Sequence, residues 1–527
     1  MSNLSELLPS GGAQNVVEFT ASGAIASGKP VILNSDGTVT QTAETTTTIT
    51  EDFVAGSAEG SNSTNTARGI HVVFDSADSD KFIYLFSDTG DSREIKAFVG
   101  TISNSGSSTT VAESTTQEII SGRSYVKGFC ADPFNAGKFF LAYADEDDSY
   151  KGKCVVVTMS GTTLSAGTPV EYDNALAATN DQSQVCADPN VENQFLIVYR
   201  EGDSAATGKA VVATVSGTSI SLGTAHTFES GTNGIEHPKV FASPNDTGKF
   251  VVMYRDDDNS FYGTMKGLSL SGTTISSGSA NVFQSSSNPQ SSFCGAFDLD
   301  VAGRFVIFFG GYFQNSYFYR QWQGAVVTMN TASLSFTTST IVAAGNNGES
   351  AGNGDICSVG GNKYLMSHEI TNGSAAQDLL QIVATVGSGP SLSFGTRNAS
   401  FTTDTDSSGG ISVANDPNNN HRCVTGYRTA TTGDNPRQRC FITEVGGDYT
   451  STNLTSTNFI GIASDAISDT ALGDINVKGG INEAQSGLTV GSTYYVQTDG
   501  TLATTADDPS VKAGKAITAT KINMADL

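Results

Sequence analysis

GKFFLAY at 137–143, NQFLIVY at 193–199 and GKFVVMY at 248–254 are three copies of one strand, in which a polar pair leads into a phenylalanine and an unbroken apolar run. With Phe82, Phe139, Phe195, Phe250, Phe305, Tyr364 and Arg422 as equivalent anchors, the intervals are 57, 56, 55, 55, 59 and 58 residues. A second apolar strand follows each anchor at about fourteen residues. In the copies KCVVVTMSGTTLS, KAVVATVSGTSIS and GLSLSGTTIS it places Gly161, Gly217 and Gly272 at steps of 56 and 55. Two signals keeping one period while drifting independently mark a structural repeat.

One unit, residues 123–180, resolves into the strands YVKGFCA, KFFLAYA and KCVVVTM and an outer strand near TPVEYD. Asp132-Pro133, Asp188-Pro189 and Asp416-Pro417 recur between the first two strands, where proline fixes φ and sets a turn. Val155, Val156 and Val157 are apolar in succession, so both faces of that strand are covered. The first strands carry small residues, among them Gly128, Cys130, Ala131, Gly295 and Ala296, as strands crowded around an axis require. The expected fold is therefore all-β, a seven-bladed β-propeller over residues 69–455. An open solenoid of the same units is the alternative.

The chain ends carry a different signal. GKPVILNSDGTV at 28–39 and GSTYYVQTDGTL at 491–502 share a glycine, β-forming residues and Asp-Gly eight positions on, a hairpin signature expected to adopt a type I′ turn. Strands such as VVEFTASGAI, FIGIASDAI and GKAITATKINM flank them and lack the repeat anchors. Residues 15–44 with 456–527 are thus expected to form a small β-barrel or sandwich into which the propeller is inserted, because a closed ring brings its own ends together. Residues 1–14 read as an N-terminal arm, and the Thr/Ser-rich residues 45–68 as a linker that lends a strand to close the ring.

With 53 acidic against 28 basic residues the formal charge is −25, which argues against nucleic acid as a partner. No run of eighteen apolar residues is present to enter a membrane, and MSNLSELLPSGGAQ lacks the basic and apolar regions of a secretory signal, which places synthesis and folding in a cytoplasm. Seven cysteines are an odd number for a disulfide framework; they occupy repeat positions as small apolar residues, with a Cys423–Cys440 pair on one hairpin as the exception to test.

LSELLPSGG, EFTASGAIASGKPVILNSDGTVT and GLTVGSTYYVQTDGTLATTADDPSVKAGKAITAT resemble virion structural proteins of marine tailed bacteriophages, those of cyanophages and pelagiphages. The resemblance covers about residues 1–39 and 456–527 and does not extend to the repeats. It implies a virion-bound accessory protein of the tail-fibre or head-decoration kind, multimeric, with other virion proteins as partners. It supplies no catalytic residues.

Three groups of residues are candidates for sites. In the fifth repeat, Tyr312, Phe313, Tyr317, Tyr319, Arg320 and Trp322 offer aromatic faces and a guanidinium suited to a sugar or a protein hot spot; burial of half the rings in the blade core is the competing reading. Acidic loops containing Asp145, Asp147, Asp256 and Asp258 suit Ca2+ chemically, but no copy completes an Asp-x-Asp-x-Asp-Gly pattern, and a solvated acidic rim competes. Leu4, Leu7 and Leu8 ahead of Pro9 read equally as a virion docking peptide or a free tail. The five histidines, His71, His226, His237, His368 and His421, have no ligand spacing, and no residue stands out as a nucleophile or cofactor ligand. The leading expectation is a non-enzymatic virion protein, its terminal module on the particle and its propeller turned outward toward host surface glycan. The alternatives are a glycan-degrading propeller enzyme, which needs two paired carboxylates, and a capsid decoration protein with no recognition role.

Overall fold

The computed structural model describes residues 15–524 except 56–58, 61–66, 79, 91, 106–107, 175, 177–182, 203–205, 286–292, 313–319, 345–349, 372–376, 397, 406–409, 430–437, 456 and 507–509. The docking candidates Leu4, Leu7 and Leu8 lie outside the described residues. Among the described residues every regular element is a strand, and the strands form nine five-stranded antiparallel sheets. The chain divides into two compact units, residues 49–446 and residues 1–48 with 447–527.

The central unit is a β-propeller. Its second sheet shows the plan: Ser124–Ala131, Lys138–Asp145 and Lys151–Ser160 pair in sequence order, and both Thr163–Ala166 and Val170–Asp173 pair with the third strand. The outer strand expected from sequence is thus two short strands end to end, interrupted where Gly167 and Pro169 sit; proline has no N–H for the ladder. Gly161, Gly217 and Gly272 all lie at φ near +60°, each first in the two-residue link between the third and fourth strands, as a II′ turn demands. That backbone requirement explains their regular recurrence.

Seven sheets follow this plan, and seven apolar clusters join each to the next. The cluster of Ile70, Val72 and Tyr84 with Val424, Cys440 and Ile442 joins the last sheet to the first, so the series is a ring and not an open stack. Consecutive apolar residues are explained: Phe139, Leu141, Val155 and Val157 face the first sheet, while Phe140, Ala142, Cys154 and Val156 face the third. The innermost strands leave no space for larger side chains. A Cβ on Gly128 would lie 2.6 Å from the Val185 nitrogen.

Strands Glu44–Ala55 and Glu59–Gly60, which take up much of the expected linker 45–68, pair with Gln438–Thr452 and complete the last sheet. The Cys423–Cys440 pairing is not formed. In the hairpin Cys423 stands opposite Thr443 and Cys440 opposite Gly426, three positions apart and therefore on opposite faces. Cys423 instead meets Cys357 of the neighbouring sheet, Sγ to Sγ at 3.4 Å, and all seven cysteines are free thiols.

The terminal unit has two sheets, one ordered Val16–Thr20, Leu472–Val477, Phe459–Ala463, Pro30–Leu33 and Val39–Gln41, the other built wholly from residues 481–523. Ile32 and Ile462 of the first share a core with Tyr494, Val496, Val511 and Ile522 of the second. The two Asp-Gly hairpins adopt the same turn, though not type I′: Gly37 (φ +86°) and Gly500 (φ +73°) are left-handed, while Asp36 and Asp499 are not. Each aspartate instead accepts the N–H and hydroxyl of a threonine two residues on, Thr38 at 3.0 and 2.7 Å and Thr501 at 2.8 and 2.6 Å. This is an Asx arrangement closed by a left-handed glycine.

Candidate functional site

The aromatic loop of the fifth sheet does not assemble a site from described side chains. Phe313, Tyr317 and Tyr319 lie outside the described residues, and Tyr312 and Arg320 are placed only as paired strand positions. Trp322 contradicts the expectation of a recognition surface. It is 2% exposed, packed with Val306, Ile356 and Tyr364 between the fifth and sixth sheets, its ring edge-on to His368 at 5.9 Å. Gly354 makes room for it, since a Cβ there would lie 2.7 Å from Trp322 Cζ2. Strand register decides this outcome. Trp322 stands opposite Gly310, on the face turned to the sixth sheet.

The acidic loops are organised by cations and backbone N–H groups of the protein. Asp145 and Asp148 both bind Lys153 Nζ, at 2.8 and 2.7 Å, and Asp147 accepts the Arg123 N–H at 2.8 Å. Glu146 is clasped by Arg93 and Arg123 and by the Tyr150 hydroxyl. Burial would raise its carboxyl, but those donors and the two guanidinium charges outweigh it and hold Glu146 below the ordinary carboxylate range. Asp258 accepts Gly234 N–H at 2.9 Å and Asn233 N–H at 3.0 Å, which lowers it too, while burial raises Asp256. No group of three or more ligating side chains converges among the described residues. Asp145 is thus an ion-pair residue, while Asp147, Asp256 and Asp258 accept backbone N–H groups, Asp256 from Asn259 in its own turn; the partners of the other three come from outside their own loops, which hid the role in sequence.

The cavity with chemical content lies on the axis of the ring. About 330 Å3 in volume, it is walled by innermost strands from six of the seven sheets: Ala67–Phe74, Ser124–Ala131, Ser183–Ala187, Ile235–Ala242, Ser350–Ser358 and Ser412–Asp416. His71, Gly128, Gln184, Lys239, Cys294, Asp355 and Val413 each lie opposite the residue three beyond an anchor, forming one layer around the axis. An innermost strand has a free edge, and neighbouring side chains satisfy part of it. Gln184 Oε1 accepts Val240 N–H at 2.7 Å, Asp355 Oδ2 accepts Val413 N–H at 2.8 Å, and Ser412 Oγ accepts Val72 N–H at 3.1 Å.

Arg68, Lys127 and Lys239 bring three cations to the cavity wall, with His71 beside them and Asp355 as the carboxylate. Lys127 is 5% exposed, its ammonium 5.7 Å from the Tyr125 ring centre, and Lys239 stands 5.6 Å from that of Phe293. Burial pushes the Asp355 carboxyl up, opposed by the Lys239 charge and by the N–H groups of Val413 and Ile356. None of these residues was singled out in the sequence for binding. Only the repeat register, applied to polar residues in place of apolar ones, would have aligned them.

No protein-family model matches the chain, and no curated protein matches it. Among solved structures it is similar to a six-bladed β-propeller lectin of Aleuria aurantia with a fucose recognition mode, at 11% identity and TM-score 0.37, covering 64% of this chain and 97% of that one. It is also similar to AofleA from Arthrobotrys oligospora (7% identity, TM-score 0.36, covering 72% and 96%) and to the α-L-arabinofuranosidase Arb93A from Fusarium graminearum (9% identity, TM-score 0.34, covering 58% and 90%).

Proposed function

We propose that this chain is a structural accessory protein of a tailed-phage virion, a seven-bladed propeller inserted in a β module made from both chain ends. The module attaches to other virion proteins, in several copies per particle, and the propeller is displayed outward to bind host surface glycan. The observation that carries the reading is the pairing of the two ends in a compact unit of their own, residues 1–48 with 447–527. The segments resembling phage virion proteins fall in that unit, and the repeats fall in the other. A base and a displayed head are thereby separate parts of one polypeptide. Binding is favoured over hydrolysis because the described cavity lining holds a single carboxylate, Asp355, surrounded by cations, where glycoside cleavage uses a pair about 5–10 Å apart.

Density-gradient-purified particles from a culture carrying the gene provide the test. Mass spectrometry is expected to find the full chain in the particle fraction, and gold-labelled antibody against the propeller to decorate intact particles. A chain found only in the soluble lysate overturns the proposal. Antibody that labels particles yet leaves adsorption unchanged removes the host-binding part and leaves decoration.

A further inference from the structure

We infer that the axial cavity binds an acidic sugar, a pyranose unit carrying a carboxylate. Three cations against one carboxylate give the lining a formal charge of +2 with histidine neutral, in a chain whose total is −25. A recess of net positive lining inside a body of net negative charge focuses its field on an entering anion. Among the described residues neither Arg68 nor Lys239 is held in a salt bridge, although the Lys239 charge acts on Asp355, so an incoming carboxylate meets a guanidinium and an ammonium that no direct ion pair holds there.

The remaining groups narrow the ligand class. Asp355 would repel a bare phosphate or sulfate, yet it is placed to accept hydrogen bonds from hydroxyl groups. Gln184, whose Oε1 is engaged by Val240 N–H, turns its Nε2 into a spare donor. Lys239, Gln184 and Asp355 in one layer, with Arg68 and Lys127 elsewhere on the same wall, match a ligand that is anionic at one end and hydroxylated elsewhere. A volume of about 330 Å3 stands at the lower end of small-molecule sites, room for a sugar unit. The inference gives the displayed propeller a ligand class and rests on the proposed function only for its biological setting. Ligand binding by purified protein and presence in particles are separate measurements, so failure of one is distinguishable from failure of the other.

Calorimetric titration of the full chain at low salt, with glucuronate, glucose and inorganic phosphate as probes, tests it. Glucuronate is expected to bind at least about tenfold more tightly than glucose, and Arg68→Gln and Lys239→Gln each to lose about tenfold, the worth of one charge-assisted hydrogen bond. Asp355→Asn is expected to raise phosphate affinity relative to glucuronate, a change of selectivity that misfolding cannot imitate. Arg68 is exposed, so its variant should melt as the parent does. Equal binding of glucose and glucuronate, tighter binding of phosphate than glucuronate by the parent, or unchanged affinity in both glutamine variants overturns the inference. A glucuronate-terminated oligosaccharide that binds more tightly than free glucuronate identifies a polymer end as the source; weaker binding of the oligosaccharide identifies the free monosaccharide.

Discussion

Asp188 shows how much one side chain does in this ring. Its Oδ1 accepts Asn190 N–H at 2.9 Å and caps its own turn, while Oδ2 accepts Gly248 N–H of the next sheet at 3.0 Å. Asp75 to Gly137, Asp246 to Gly303 and Asp300 to Gly361 repeat the cross-sheet bond at 2.7–3.0 Å, each time to a left-handed glycine. Asp188→Ala leaves a buried N–H unpaired at Gly248 and should cost about 1–3 kcal/mol in urea unfolding. Asp188→Asn, which can keep one acceptor, should cost less; equal losses for both would show that charge, not acceptance, holds the junction. The Asp-Pro turn was legible in sequence because it is local. The second bond was not, since donor and acceptor are separated by 60 residues. Trp322 failed for a related reason: composition identified an aromatic segment, but only strand register told which face the indole takes.

At the level of the element, the loops between second and third strands behave as ion-paired hairpin ends. Glu146 and Asp258 both titrate below the ordinary carboxylate range, so their ionised forms contribute stability above the unfolded-chain value, and that contribution disappears as pH falls through their lowered values. Asp188 and Asp256 are raised, so their shifts favour the folded state at low pH and lose that effect as pH rises through the folded values. Glu146→Gln should therefore lower the melting temperature at neutral pH and flatten its decline between about pH 5 and pH 3. A parallel offset at every pH would exclude the proposed linkage. The acidic composition of these loops was visible in sequence, whereas Lys153, Arg93 and Arg123 as their partners required the hairpin pairing and the neighbouring sheet.

For the whole molecule, the period of the anchors was enough to state a series of like sheets packed face to face, because apolar runs on both faces demand a neighbour on each side; closure into a ring rests on the cluster that joins the last sheet to the first. Where the ring is fastened was legible only in outline. The last sheet takes three strands from residues 412–452 and its outer two from Glu44–Ala55 and Glu59–Gly60. Exchanging residues 44–60 for a Gly/Ser segment of equal length should lower the melting temperature and raise amide hydrogen exchange along Gln438–Thr452, leaving the second to fifth sheets protected. Unchanged exchange there would show that the outer strands do not secure the closure. The arrangement also dictates a timetable. Glu44–Ala55 leaves the ribosome before any other strand of the ring, while its partner Gln438–Thr452 emerges only after all other sheets of the ring have been made. Until then the nascent chain carries a Thr-rich strand without its mate, and this pairing, the most non-local within the ring, is the step that turns a row of tethered sheets into a sealed object.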